Sequence, residues 1–234
     1  MNITRRAARL AVAVVMAAAV LLFFYRLLVP DRLVYQGDIT SSDVTELNFP
    51  RHHLLSTSLK EGKIPRWTTL IGNGYPILGE GQTGVFYPPN LLLFGLLDPE
   101  SAYNLSVILS FVLALGFTYL LARSLGRSRT ASLFAALAFS MSAFFVTRIK
   151  FMAMINAAAW LPLALFGVEK FFRERKIGYA LLGGTALSMQ VLAGQTQIFY
   201  ISALLTFSYL IWRFAASAWS ALKDGEGAWT PVRA

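Results

Sequence analysis

Ile177-Gly-Tyr-Ala-Leu-Leu-Gly-Gly-Thr-Ala-Leu-Ser-Met-Gln-Val-Leu-Ala-Gly-Gln-Thr-Gln-Ile-Phe-Tyr-Ile-Ser-Ala-Leu-Leu-Thr-Phe-Ser-Tyr-Leu-Ile-Trp212 runs for 36 residues without one Asp, Glu, Lys or Arg. A straight helix of that length would measure about 54 Å, against a bilayer hydrocarbon core about 30 Å thick. The run therefore folds back, and Gly194-Gln-Thr-Gln197 at its midpoint is the polar place to turn. This spacing predicts two spans, 177–194 and 197–213, joined as a tight hairpin.

Four more spans lie toward the N-terminus. Phe151 to Val168 and Thr130 to Thr147 are separated only by Arg148-Ile-Lys150, and Ala102 to Ala122 carries no charge. Leu10 to Leu28 follows Arg5, Arg6 and Arg9 and is interrupted only by Arg26. A secretory signal would end in a small-residue cleavage site after its apolar core. Here Ala17, Ala18 and Ala19 sit mid-segment and lead into Val20-Leu-Leu-Phe-Phe-Tyr25, so the segment reads as an uncleaved anchor. The fold class is an all-α polytopic membrane protein forming a single membrane domain over 1–234. It has about six transmembrane helices (10–28, 102–122, 130–147, 151–168, 177–194 and 197–213). The long first extracytoplasmic loop, 29–101, contains short interfacial helices. Residues 214–234 read as a cytoplasmic tail, whose end, 223–234, looks unstructured or truncated.

Composition agrees. The chain is 56% hydrophobic and only 14% charged, where a soluble domain carries about 25% charged residues. Disorder is excluded by the abundance of aliphatic and aromatic residues. The absence of cysteine excludes disulfides, thiolate metal sites, Fe–S clusters and thiol nucleophiles. Lys and Arg number 21 against 12 acids, a net charge of +9. These basic residues are dispersed between apolar spans rather than gathered on one folded face, which argues against nucleic acid as a partner. Arg5, Arg6 and Arg9, then Arg123, Arg127 and Arg129, then Lys170, Arg173, Arg175 and Lys176 all fall on one side if six helices alternate. By the positive-inside rule that side, with the N-terminus, is cytoplasmic. No internal repeat is visible.

Eight of the 12 acidic residues lie between Val29 and Ser101, with both histidines, His52 and His53. A loop of that length in a compact protein is expected to be a functional subdomain. The near absence of ionisable residues within the spans argues against an ion pump. Pro50 to Leu59 reads as a short helix on the membrane, with Leu54, Leu55 and Leu59 as its apolar stripe and Gly62 as its stop. Gly72-Asn-Gly-Tyr-Pro76 and Gly79-Glu-Gly-Gln-Thr-Gly84 are turns where backbone can approach a ligand closely. Leu91 to Leu97 is too short to span and is expected to dip into the interface.

Individual residues admit two readings each. Asp38, about ten residues after the first span, is either a general base or metal ligand just above the membrane, or a cap within Asp38-Ile-Thr-Ser-Ser-Asp43. Asp43 carries the same ambiguity. His52 and His53, adjacent on a helix, diverge and make a poor zinc pair; one is expected toward a ligand headgroup and the other toward solvent. Glu80 and Gln82 lie in a glycine-rich turn that lacks the context of a nucleotide loop. Arg148 and Lys150, at the outer tip of a hairpin, either snorkel as anchors or meet an anionic headgroup. Gln195 and Gln197 either cap a turn or hydrogen-bond a polar ligand at the membrane face.

Gly37-Asp38, Gly62-Lys-Ile-Pro-Arg-Trp67, Gly74-Tyr-Pro76 and Gly81-Gln-Thr-Gly-Val-Phe-Tyr-Pro-Pro-Asn90 together resemble the first outer loop of YfhO-type bacterial membrane proteins. These belong to the GT-C superfamily of lipid-linked-sugar glycosyltransferases. The resemblance continues through Tyr119-Leu-Leu-Ala-Arg-Ser-Leu-Gly126, Asn156-Ala-Ala-Ala-Trp-Leu-Pro162 and Leu192-Ala-Gly-Gln-Thr-Gln197, covering nearly all of residues 30 to 212. It implies a GT-C-like fold in the bacterial inner membrane and a polyprenyl-phosphate-linked sugar as donor. An extracytoplasmic envelope polymer or lipid would be the acceptor. It also implies an acidic catalytic residue in the first outer loop, serving as base or divalent-metal ligand, and Asp38 is the matching position. Asp43, Glu80 and Gln82 are secondary carry-overs, and Arg148 and Lys150 are candidates to hold the donor phosphate. Related sequences often show Gly-His-Pro-Gln where this one has Gly194-Gln-Thr-Gln197. Members of the family are longer, so the chain resembles an N-terminal portion or a short relative.

The alternative is a non-catalytic membrane subunit or scaffold that binds lipid-linked glycan. It keeps the loop and needs no carboxylate chemistry. A transporter or flippase is disfavoured by the lack of an inverted repeat and of charge within the spans.

Overall fold

The computed structural model describes residues 2–28, 32–34 and 42–224, and among these the chain is helical with no strand. Helix α1 (Asn2–Phe24) ends in a 3-10 turn at Tyr25–Leu28. A π-helical turn, Val44–Asn48, leads into α2 (Phe49–Lys60), and two short helices follow, α3 (Ile77–Glu80) and α4 (Pro88–Leu96). Then come α5 (Pro99–Ser124), α6 (Arg129–Ser140), α7 (Ala143–Thr147), α8 (Met152–Ala158), α9 (Leu161–Glu174), α10 (Ile177–Leu192) and α11 (Thr196–Asp224). An isolated antiparallel bridge joins Thr68 and Tyr75 within the loop.

The helix starts follow from local chemistry. Pro50, Pro88, Pro99 and Pro162 occupy first-turn positions, where the missing N–H costs nothing. Asp98 caps α5 by accepting from the Ser101 N–H at 2.8 Å, and the Ser128 hydroxyl caps α6 by accepting from the Ala131 N–H at 3.2 Å.

Among the described residues five stretches are long and apolar enough to cross a membrane: Leu10–Leu27, Pro99–Ser124, Arg129–Thr147, Met152–Glu174 and Thr196–Ser220. Helix α10 is apolar but shorter, 16 residues, or about 24 Å. Most residues of Met152–Glu174 are buried and it forms the centre, whereas few residues of Leu10–Leu27 and Thr196–Ser220 are buried and these lie at the periphery. Exposed Leu22, Phe207, Ile211, Phe214 and Trp219 on those outer helices would be unfavourable in water and suit lipid. The architecture is that of an all-α, multi-pass membrane protein.

Packing centres on α5. Phe24 of α1 and Phe145 of α7 meet Phe111 edge-to-face, at 4.9 and 5.5 Å between centroids. Helices α9 and α10 cross at Gly167 and Gly183. A Cβ at Gly167 would sit 2.7 Å from the Gly183 nitrogen and the Tyr179 carbonyl oxygen, so the backbones touch as in small-residue membrane interfaces. Buried polar side chains tie loop to bundle. The Asn90 amide donates to the Thr83 carbonyl at 3.1 Å while its oxygen accepts from the Ser106 hydroxyl at 3.3 Å. Asn156 donates to Ser106 at 3.3 Å and accepts from Ser110.

The spans expected over 130–147 and 151–168 fall within Arg129–Thr147 and almost wholly within Met152–Glu174, and each is interrupted once. The first breaks after Ser140, and the second breaks at Ala159–Trp160 just ahead of Pro162. Helix α11 continues through 214–224, where no Gly or Pro interrupts Arg213 to Asp224 and Arg213 is paired with Glu169. Helix α2 does not turn its stripe to the membrane. Leu55 is fully buried and the Ser56 hydroxyl donates to the Phe94 carbonyl of α4 at 2.8 Å.

Candidate functional site

Three separate connections converge at one end of the bundle. The turn entering α2 supplies Asn48, whose amide donates to the Lys150 carbonyl at 2.6 Å. The turn between α7 and α8 is closed by the Phe151 N–H donating to the Arg148 carbonyl at 2.9 Å. The turn between α10 and α11 reverses at Gly194, with φ of +82°, and rests on the glycine-rich turn at Gly81, with φ of +80°. A side chain on Gly194 would collide with the Gly81 carbonyl, so the contact is backbone on backbone.

The convergence leaves a pocket of about 180 Å³ lined by Asn48, Gln82, Phe151, Ala153, Met154 and Gln195. Three carboxamides offer donors and acceptors without net charge, beside a phenyl ring and a thioether. It is smaller than the roughly 300–1,000 Å³ of drug-sized sites, which suits a single small polar ring or headgroup. Lys150 adjoins it, with Nζ 3.6 Å from Asp43 Oδ2 and 5.0 Å from the Phe151 ring centroid. The positive charge beside the pocket is thus shared with a carboxylate.

Beneath Asn48, His52 is buried and donates its Nδ1–H to the Asn48 carbonyl at 2.7 Å. Burial pushes its pKa down to about 4, so the imidazole is neutral and braces the turn that presents Asn48. His53 faces solvent. The buried His52 packs its ring against Phe94 and Tyr103 and supports the turn rather than meeting a headgroup.

The structure brings Gln82 and Gln195 into the lining of one pocket, while Lys150 and Asp43 pair with each other next to its Phe151. Glu80 is adjacent in sequence but engaged elsewhere. It accepts from Arg51 at 3.3 Å, from the Thr83 N–H at 2.6 Å, and from the Thr83 hydroxyl. Arg148 lies over the Phe144 ring, 4.7 Å from its centroid, and Gln197 is exposed on the first turn of α11. Asp38 lies outside the described residues. Among the described residues no three of His, Asp and Glu come together as metal ligands, and Asp43 and Glu80 are each held by a cation.

Sequence reasoning missed Asn48, Phe151 and Met154. Asn48 stands before Phe49-Pro50 and looks like a cap, yet it makes no side-chain cap bond and reaches 102 residues along the chain instead. It also missed Glu169, wholly buried between α9 and α11. Glu169 pairs with Arg173 at 2.5 Å and Arg213 at 3.2 Å, and accepts from the Tyr209 hydroxyl at 2.7 Å.

No family model matches this chain, and no curated protein or solved structure is significantly similar to it.

Proposed function

We propose that the chain is a GT-C-like, YfhO-type membrane protein that admits the sugar of a polyprenyl-phosphate donor to this pocket and transfers it to an extracytoplasmic envelope acceptor. The observation that supports the reading most is the pocket lining. Asn48, Gln82 and Gln195 present neutral hydrogen-bonding groups of the kind that satisfy sugar hydroxyls, and Phe151 offers a flat apolar face. Lys150, with Arg148 two residues before it, puts positive charge beside the pocket for the donor phosphate. In this reading six helices cross the bacterial inner membrane, with the N-terminus and the basic connections cytoplasmic. Helix α10 crosses although short, which recesses the Gly194–Gln195 turn to headgroup depth, where a lipid-linked phosphate lies.

The acceptor hydroxyl attacks the anomeric carbon as its proton passes to Asp38. The bond from that carbon to the phosphate oxygen breaks, and polyprenyl phosphate leaves with both bonding electrons.

A test is equilibrium binding of a polyprenyl-phosphate hexose to the purified protein in detergent. Gln82→Ala and Gln195→Ala should each weaken binding about tenfold, as expected for the loss of one hydrogen bond to the ligand. Unchanged affinity in both variants refutes the reading. The second reading, a non-catalytic subunit that binds lipid-linked glycan, is favoured by one observation: both described carboxylates near the pocket, Asp43 and Glu80, are committed to ion pairs. It predicts binding without transfer.

A further inference from the structure

At the opposite end of the bundle the charge pattern reverses. Residues 102–222 contain ten cations, of which eight (Arg123, Arg127, Arg129, Lys170, Arg173, Arg175, Lys176 and Arg213) lie away from the 148–150 turn. Against them stand only Glu169 and Glu174. Glu169 neutralises part of this excess while fixing the position of Arg213, whose side chain is only 18% exposed. Beside it a pocket of about 190 Å³ opens between α9 and α11, lined by Phe172, Arg213, Ala216, Ser217 and Ser220.

Arg175 contacts two of the residues that line this pocket, Phe172 and Ser217. It ends α9 in the left-handed region, φ +54°, and its guanidinium donates to the Ser217 hydroxyl at 3.0 Å. The guanidinium carbons of Arg175 and Arg213 lie 5.5 and 5.7 Å from the centroid of the same Phe172 ring. Two delocalised cations thus share one aromatic platform at a pocket edged by two serine hydroxyls. Forked donors of this kind match the oxygens of a phosphate.

Depth identifies the source of that phosphate. Arg213 is 17 residues beyond Thr196, the first residue of α11, a rise of about 26 Å along the helix, and Ser220 follows about 10 Å further on. With a hydrocarbon core of about 30 Å, the pocket lies at the far membrane–water interface. Trp212 and Trp219, both exposed, flank it as interface-seeking aromatics do. The geometry points to a binding site for the phosphate of an anionic phospholipid, held by Arg175, Arg213 and Ser217, at the end of the molecule remote from the carboxamide pocket. Basic pockets between membrane helices are built for such headgroups.

The test uses the full chain in neutral detergent, with bound lipid counted by native mass spectrometry during titration with phosphatidylglycerol, phosphatidylcholine or inorganic phosphate. Arg175→Asn removes one guanidinium, tolerates the left-handed backbone and leaves the Glu169 cluster intact. Ser220→Glu adds a carboxylate at an exposed position on the pocket rim. The site predicts retention of phosphatidylglycerol over phosphatidylcholine. It predicts affinity for phosphatidylglycerol about tenfold lower in Arg175→Asn and lower again in a double variant with Ser220→Glu, with weak phosphatidylcholine binding unchanged. Equal phosphatidylglycerol binding in wild type and both variants overturns it. Full displacement of the lipid by millimolar inorganic phosphate also overturns the lipid assignment and makes this a free-phosphate site.

Discussion

Gly194 touches Gly81 backbone to backbone, and both hold positive φ. Residues 113 positions apart thereby fix the outer loop against the α10–α11 turn, and the carboxamide pocket depends on that contact. Gly194→Ala forces a Cβ into the Gly81 carbonyl and strains the left-handed backbone, at roughly 1–3 kcal/mol for the backbone alone. Thermal unfolding in detergent should show the loss, together with weakened ligand binding. Gly95→Ala, in α4 with open space around its Cα, should be neutral or slightly stabilising.

The crossing of α9 and α10 is equally intolerant. Gly167→Leu has to displace the α10 backbone at Gly183 and Tyr179. The expected cost is about 2 kcal/mol or more, read as a lower melting temperature, whereas Gly184→Ala, on α10, meets nothing and should be silent.

Two ion pairs near the pocket should behave differently. Arg51 and Glu80 are 12% and 8% exposed, and Arg51 also lies 4.9 Å from the Tyr75 ring centroid. Arg51→Met strands a buried carboxylate and should cost about 3 kcal/mol. Lys150 and Asp43 are 35% and 33% exposed at 3.6 Å. Lys150→Met should cost under about 1 kcal/mol of stability, at the median for such pairs, so any larger effect on ligand binding is separable from folding.

His52 gives the outer loop an acid sensitivity. Its folded pKa, about 4, lies below the unfolded value of 6.5, so the unfolded chain takes up the proton first. Stability is full above pH 6.5 and falls by up to roughly 3 kcal/mol as pH drops toward 4. Denaturation as a function of pH should show this slope in wild type and a shallower one in His52→Gln, whose amide can still donate to Asn48.

The helices are legible because apolar runs of bilayer length report themselves, and the α10–α11 turn is legible because Gln195-Thr-Gln197 after Gly194 is the longest unbroken polar stretch in the 36 uncharged residues. Gln82 and Gln195 were singled out as polar groups in glycine turns. That they face one pocket follows from the Gly81–Gly194 contact, which no local pattern encodes. Asn48 was hidden because its partner is the carbonyl of Lys150, a main-chain group with no sequence signature. Glu169 was hidden because a lone acid at the end of an apolar run looks like a surface residue. Only the tertiary approach of Arg213 and Tyr209 shows why burial is tolerated.

The most direct measurement is transfer of a radiolabelled sugar from polyprenyl phosphate in membranes expressing wild type, Asp38→Asn or the Gln82→Ala/Gln195→Ala pair, at matched insertion. The account predicts transfer by wild type, a loss of about 100-fold or more in Asp38→Asn as for a removed general base, and a marked fall in the paired variant. Transfer at the wild-type rate in both Asp38→Asn and the carboxamide pair would contradict it.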